Sequence, residues 1–250
     1  PFIKTNYWRG TGEEIASKLE AEFIVDRSPV DVAHGGETVN YPRWRKMGVM
    51  APFVDILPGI KTLDKRLYGE YGDWARPGHT VITPQYNTKL VSAAEAPKKG
   101  EDLLDPKWRG HIGITSDVKG WVTLALAEGG WGTEKTEDFL VKLSKQKLIW
   151  GAGHTEAHTM MIAGEFKILA EGYIYHVLRS QEKGAPVDWA RVNPVVVLGP
   201  CVLMPKKAPH PNTARLFLEW LFSPQGLRFW EDVSGGMGAA FPGLGTKQAK

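Results

Sequence analysis

The chain has a single cysteine, Cys201, among its 250 residues. That excludes an internal disulfide and a cysteine-clustered zinc site, and in an apolar run the thiol reads as buried and inert. Long hydrophobic runs are scarce too. The longest, Val195 to Met204, is broken by Gly199 and Pro200 and is about half the roughly 20 residues that a bilayer span needs. Concentrated charge is also missing, because 31 basic and 28 acidic residues are spread along the sequence for a net charge of +3. Without a basic run, nucleic acid is not an expected partner. There is no repeat of fixed period, no low-complexity linker and no signal peptide. The chain opens on Pro1-Phe2-Ile3, inside a stretch to Trp8 that reads as a strand. The expectation is a processed or truncated form, so the missing targeting segment does not argue for the cytoplasm.

What is present suits a globular α/β protein of one large or two small domains, with 42% hydrophobic and 24% charged residues. Thr11 followed by Glu14 forms a capping box, and Ile15, Leu19 and Phe23 follow at helical spacing. Val30 to Ala33 reads as a short strand ending in His34-Gly35-Gly36. After an irregular stretch from Lys61 to Gly78, strand-like runs at His79 to Tyr86, His111 to Thr115, Leu148 to Ala152 and Phe166 to Ala170 alternate with helical patterns. Those patterns lie near Trp121 to Glu128, around Phe139 and Leu143, at Glu156 to Ala163, and across Ile174 to Leu178. Val195 to Leu198 and Cys201 to Met204 are apolar β-rich runs. Asn212 is the expected cap of a helix carrying Leu216, Phe217, Trp220 and Leu221, and Ser223-Pro224 opens another. Two αβ segments joined by extended strands predict two lobes with a strand hinge.

Several stretches resemble bacterial extracellular solute-binding proteins of the periplasmic type II fold, in particular the branch that includes ferric-ion-binding proteins. They are Tyr7-Trp8-Arg9-Gly10-Thr11-Gly12-Glu13-Glu14, Asp102-Leu103-Leu104-Asp105-Pro106-Lys107-Trp108-Arg109-Gly110 and Glu182-Lys183-Gly184-Ala185-Pro186-Val187-Asp188-Trp189. Ala208-Pro209-His210-Pro211-Asn212 and Leu221-Phe222-Ser223-Pro224-Gln225-Gly226 complete the series, in family order along nearly the whole chain. The resemblance implies a two-lobed α/β fold with two strand crossings as its hinge, near Ile82 to Thr88 and Val195 to Met204. Lobe 1 is expected at 1–83 plus 199–250 and lobe 2 at 84–198. It further implies a monomeric receptor in the periplasm, or outside the membrane of a Gram-positive cell, that captures a small solute by closing and delivers it to an ABC permease without chemistry or cofactor. About one αβ unit, roughly 25 to 30 residues, is expected ahead of Tyr7 in such a protein.

Ligands of open α/β sheets sit beyond the carboxyl ends of strands, where loops lead into helix N-termini. The candidate contacts are therefore Arg9, Gly10 and Thr11, then His34, Gly35 and Gly36 in the first lobe. In the second they are Ser116 and Asp117 after Thr115, with Trp121; His154, Thr155 and Glu156; and Tyr173 and Tyr175. Arg9 ahead of a capped helix favours an anionic group. Iron-binding relatives use two adjacent tyrosines as phenolate ligands; Tyr173 and Tyr175 are separated by Ile174, so ferric ion as the transported ligand is the alternative and their backbone state decides it. His154 and His158, with Glu156 between them, do not form the zinc-protease motif. An enzyme of transferase or deaminase type on the same scaffold would have to use His154 with Glu156, and a sensing module without a transporter is a third reading. Of the ten tryptophans, Trp108, Trp150, Trp189, Trp220 and Trp230 are expected in the core, whereas Trp8 and Trp121 adjoin the loops. Gly235-Gly236-Met237-Gly238 reads as a turn.

Overall fold

The computed structural model describes residues 3–10, 12–35, 40–60, 63–117, 119–234 and 238–239. In chain order the regular elements are α1 (Gly12–Ile24), β1 (Ala33–His34), α2 (Tyr41–Met47), β2 (Met50–Ala51), β3 (Gly78–Asn87), β4 (Ile112–Thr115), α3 (Lys119–Leu126), α4 (Thr133–Ser144) and β5 (Ile149–Gly151). They continue as α5 (His154–Ala163), β6 (Ile168–Tyr173), α6 (Ile174–Gln181), β7 (Val187–Trp189), β8 (Val196–Leu198), β9 (Val202–Pro205), α7 (Pro211–Leu221), α8 (Pro224–Ser234) and β10 (Gly238–Ala239). Contacts divide the chain into two compact units, Pro1–His79 with Gly199–Lys250, and Thr80–Leu198.

In the first unit the sheet order is β1-β9-β2, all antiparallel, with Ala33 opposite Leu203 and Met50 opposite Pro205. The strand β9 is buried on both faces, which its unbroken apolar sequence requires. Val202 and Met204 join a cluster with Phe53, Ile60, Leu218 and Phe222, whereas Leu203 and the neighbouring Cys201 join one with Leu19, Tyr41 and Trp44. That division is the period-two alternation of a strand. Residues 3–10 form no strand; Tyr7 and Trp8 are 92% and 53% exposed. An extended run becomes a strand only when a neighbour takes its backbone groups. The strand read at Val30 to Ala33 is formed one turn of chain later, at Ala33–His34. Helix α7 is capped at His210 instead of Asn212, because Pro211 fixes the first helical φ; the Asp31 carboxylate takes the His210 N–H at 2.7 Å. Thr11, Gly36 and the turn read at 235–238, apart from Gly238 in β10, lie outside the described residues.

The second unit is built on a mixed sheet in the order β3-β6-β4-β5, in which β4 is parallel to both neighbours and β3 is antiparallel to β6. Helices lie on both faces. Ile112, Ile114, Ile168 and Ala170 pack with Trp108, Trp121 and Phe139, whereas Leu169 packs with Ala157, Met161, Phe166 and Val177. One irregularity decides where the polar groups go. Thr83 pairs with Gly172 and Gln85 with Leu169, so Ala170 and Glu171 together oppose Pro84. Proline has no N–H to give the ladder, and the extra residue on β6 is a bulge. As a result Ala170 and Glu171 line the same cavity, while Gly172 faces the Gln85 side chain. Of the tryptophans expected in the core, Trp108 is buried, but Trp150 is 63% exposed on β5, the outermost strand of this order, and Trp220 is 38% exposed.

Candidate functional site

Because β4, β5 and β6 run parallel, their carboxyl ends open on one edge of the second unit, where each feeds a helix: α3, α5 and α6 in turn. On this edge Thr115 Oγ1 takes the Asp117 N–H at 3.3 Å, and the Asp117 carboxylate takes the Lys119 N–H at 3.3 Å and its ammonium at 3.1 Å. Burial would raise the Asp117 carboxyl, but its contacts with His154 and Lys119 and the Lys119 charge outweigh that and hold it well below the usual carboxylate range. His154 opens α5, nine-tenths buried, with Nε2 3.4 Å from Asp117 Oδ2. That geometry falls short of a hydrogen bond, and neither ring nitrogen has such a partner among the described residues.

The tyrosines meet at a strand-to-helix junction. Tyr173 ends β6 and caps α6, and Tyr175 lies in the first turn of that helix. A strand would align the pair and a helix would spread it; the junction stacks their rings 5.5 Å apart at 22°. The His154 ring meets Tyr173 at 4.6 Å, and His176 meets Tyr175 at 4.4 Å. Burial, with the Asp117 charge second, pushes the Tyr173 phenol above its ordinary range, and burial raises Tyr175. His176 is lowered to about 4, by burial first and then by the neighbouring histidines. At neutral pH this edge thus presents two neutral phenols and a neutral His176 imidazole, beside a carboxylate already matched by Lys119.

Ser116 and Thr155 are exposed. Glu156 is exposed and accepts the Ala152 N–H, two residues ahead of α5, and makes no hydrogen bond to His154. Trp121 is buried against Phe139, at 5.3 Å, and not on a loop surface. His158, four residues after His154, is also buried, bonded to Gln85 Oε1 at 2.7 Å and to Ser180 Oγ at 2.9 Å. In the first unit Arg9 is exposed and makes no hydrogen bond or ion pair among the described residues, and Gly10 is half-buried beside it. His34 sets its ring against Trp230 at 4.8 Å, and Gly35, with φ +100°, donates to the Cys201 carbonyl at 2.8 Å. Sequence reasoning missed His176, Lys119 and Glu171. His176 follows Tyr173 by three residues, a spacing that brings side chains together once a helix begins there.

A family model described as bacterial extracellular solute-binding protein matches residues 3–244. The chain belongs to this family. No curated protein sequence matches the solute-binding protein. Among solved structures it is similar to iron-bound HitA from Pseudomonas aeruginosa, at 21% identity and a TM-score of 0.84 over 99% of this chain and 81% of that one. It is likewise similar to the ferric binding protein from Campylobacter jejuni, at 18% identity and a TM-score of 0.83 over 98% and 81% of the two chains. The periplasmic binding protein AfuA from Actinobacillus pleuropneumoniae, bound to exogenous fructose-6-phosphate, aligns at 19% identity and a TM-score of 0.76 over 95% and 77%. At these identities the likeness establishes the two-lobed α/β fold. Among the described residues of the solute-binding protein, no helix is long and apolar enough to cross a membrane, and no three His, Cys, Asp or Glu side chains are grouped to hold a metal ion.

Proposed function

We propose that this solute-binding protein is the periplasmic receptor of an ABC importer, that its two lobes are the units Pro1–His79 with Gly199–Lys250 and Thr80–Leu198, and that it takes a small organic anion. The observation that carries the ligand class is the convergence of His154, Tyr173, Tyr175 and His176 on one strand edge. The neutral phenols and the neutral His176 imidazole offer donors to an oxyanion, and the Asp117 carboxylate beside them is matched by Lys119. The solute stabilises a closed state by contacts that the open state lacks, and the membrane permease reads that state. In the first unit Arg9, exposed ahead of α1, is a cation of the kind that an anionic solute favours. The fructose-6-phosphate carried by AfuA is a ligand of this class.

Isothermal titration with a panel of sugar phosphates and small carboxylates tests the reading. Tyr173→Phe and Arg9→Ala are each expected to weaken the best ligand about 3- to 10-fold, the worth of one lost hydrogen bond or more. Unchanged affinity in both variants would overturn the assignment. The stacked tyrosine pair supports a second reading, ferric ion, as in iron-bound HitA. Ferric loading separates the two: a visible tyrosinate-to-iron band selects iron, and a colourless protein selects the anion.

A further inference from the structure

Both ends of α6 are held by one buried polar relay. At the start of the helix the Gln85 side chain on β3 donates from Nε2 to the carbonyl of the capping residue, Tyr173, at 2.9 Å. The other end of that amide, Gln85 Oε1, lies 2.7 Å from His158 Nδ1 on α5. His158 Nε2 in turn lies 2.9 Å from Ser180 Oγ, in the last turn of α6. Gln85 is fully buried and His158 is 5% exposed. The amide is closely packed, because a Cβ at Gly172 would lie 2.5 Å from both its Cδ and its Nε2. The direction of every link follows from one fixed point. A backbone carbonyl can only accept, so the Gln85 amide nitrogen faces Tyr173 and the amide oxygen faces His158. That oxygen also only accepts, so Nδ1 of His158 carries a proton. Burial lowers His158 to about 4, so at neutral pH the ring is uncharged and its Nε2 accepts from the Ser180 hydroxyl.

We infer that His158 is a positioning residue which, as the Nδ1–H tautomer and through Gln85 and Ser180, fixes α6 with Tyr173 and His176 against the His154 turn of α5. His154 stands one turn ahead of His158 on α5, and its ring meets Tyr173 at 4.6 Å. The His176 ring lies 5.4 Å from that of His158. The same imidazole thus ties down the helix that carries one half of the cluster from the helix that carries the other. The relay stands on its hydrogen bonds; that the rings it sets in place meet a solute rests on the receptor reading above.

Magnetic resonance of the full chain at neutral pH, with no solute added, tests this. Imidazole nitrogen shifts read the tautomer, cross-peaks between the Tyr173 and His154 rings read their contact, and amide exchange reads the hold on α6, with α4 as the internal control. Wild-type His158 is expected to carry its proton on Nδ1. His158→Leu removes both links, and is expected to lose the ring cross-peaks and to exchange the α6 amides about 3- to 10-fold faster while α4 is unchanged. His158→Asn, whose side-chain amide puts an N–H near the place of Nδ1, is expected to restore the cross-peaks. Ser180→Ala removes one link only. It is expected to keep the Nδ1 tautomer and to speed exchange in the last turn of α6, and it carries the test if His158→Leu does not fold. A proton on Nε2 in wild type, ring cross-peaks intact in His158→Leu, or equal acceleration of α4 and α6 overturns the inference. So does His158→Asn behaving as His158→Leu does. Solute binding is not read here, so failure leaves the receptor reading standing, and unchanged affinity in the titrations above leaves the relay standing.

Discussion

At the scale of single residues, pH is the sharpest probe of the buried polar groups. Burial, opposed by the Gly120 N–H and assisted by the Asp117 charge, pushes the Glu171 carboxyl up to about 8 from an ordinary 4.5. The folded chain therefore keeps a proton that the unfolded chain releases, and stability falls as pH rises from about 4.5 to about 8. The slope is at most about 1.4 kcal/mol per pH unit. His158 works from the other side. Burial lowers it to about 4 from 6.5, so the unfolded chain takes up a proton that the folded one refuses, and stability falls as pH drops through that window. Urea unfolding between pH 4 and 8 should show wild type losing stability at both ends. Glu171→Gln should flatten the alkaline side and steepen the acid side between about pH 4.5 and 6.5, where the Glu171 slope opposes that of His158; an unaltered alkaline limb would mean that Glu171 does not hold its proton. Asp117, His154, Tyr173 and Tyr175 were readable from the sequence because each stands just beyond a strand-like run. Glu171 was not, since its direction depends on a bulge that Pro84 imposes from another strand.

At the scale of elements, the helices were read better than the strands. The apolar spacing of Leu19 and Phe23, or of Phe139 and Leu143, is local information, and the structure uses those residues as the buried faces of α1 and α4. Strands depend on partners, which is why residues 3–8 read as one without forming one, and why β6 runs on past Ala170 to Tyr173. The contact of β4 with its covering residue gives a test of packing at this scale. A Cβ at Gly113 would lie 2.1 Å from the ring of Phe166, which is fully buried. Gly113→Ala is expected to cost about 1–3 kcal/mol by overpacking. In a Phe166→Leu background, where the ring is gone, the same substitution should cost less, with a coupling of about 0.5–3 kcal/mol. Chemical denaturation of the four proteins in the cycle gives that coupling directly, and strict additivity would sink the argument.

At the scale of the whole molecule, the two units differ in how the chain builds them. Thr80–Leu198 is one continuous stretch, with cores on both faces of its own sheet. Its ends are neighbours, because Thr80 pairs with Leu198, Val81 with Val197 and Ile82 with Val196 in an antiparallel ladder. A segment whose ends are hydrogen-bonded side by side, and whose apolar residues are buried within it, behaves as an inserted domain. The companion unit is made of two pieces, yet they too come together at the excision point: a Cβ on Gly199 would lie 2.2 Å from the Gly78 carbonyl oxygen. The expectation is that residues 80–198 expressed alone fold cooperatively. It follows equally that residues 1–79 joined to 199–250 through a short Gly-Ser linker fold without the insert. Dispersed amide spectra and a single sigmoidal urea transition for each piece would bear this out. If the 80–198 piece instead binds hydrophobic dye and melts without a transition, its core depends on the other unit, and the division of the chain into two independently folding bodies is wrong.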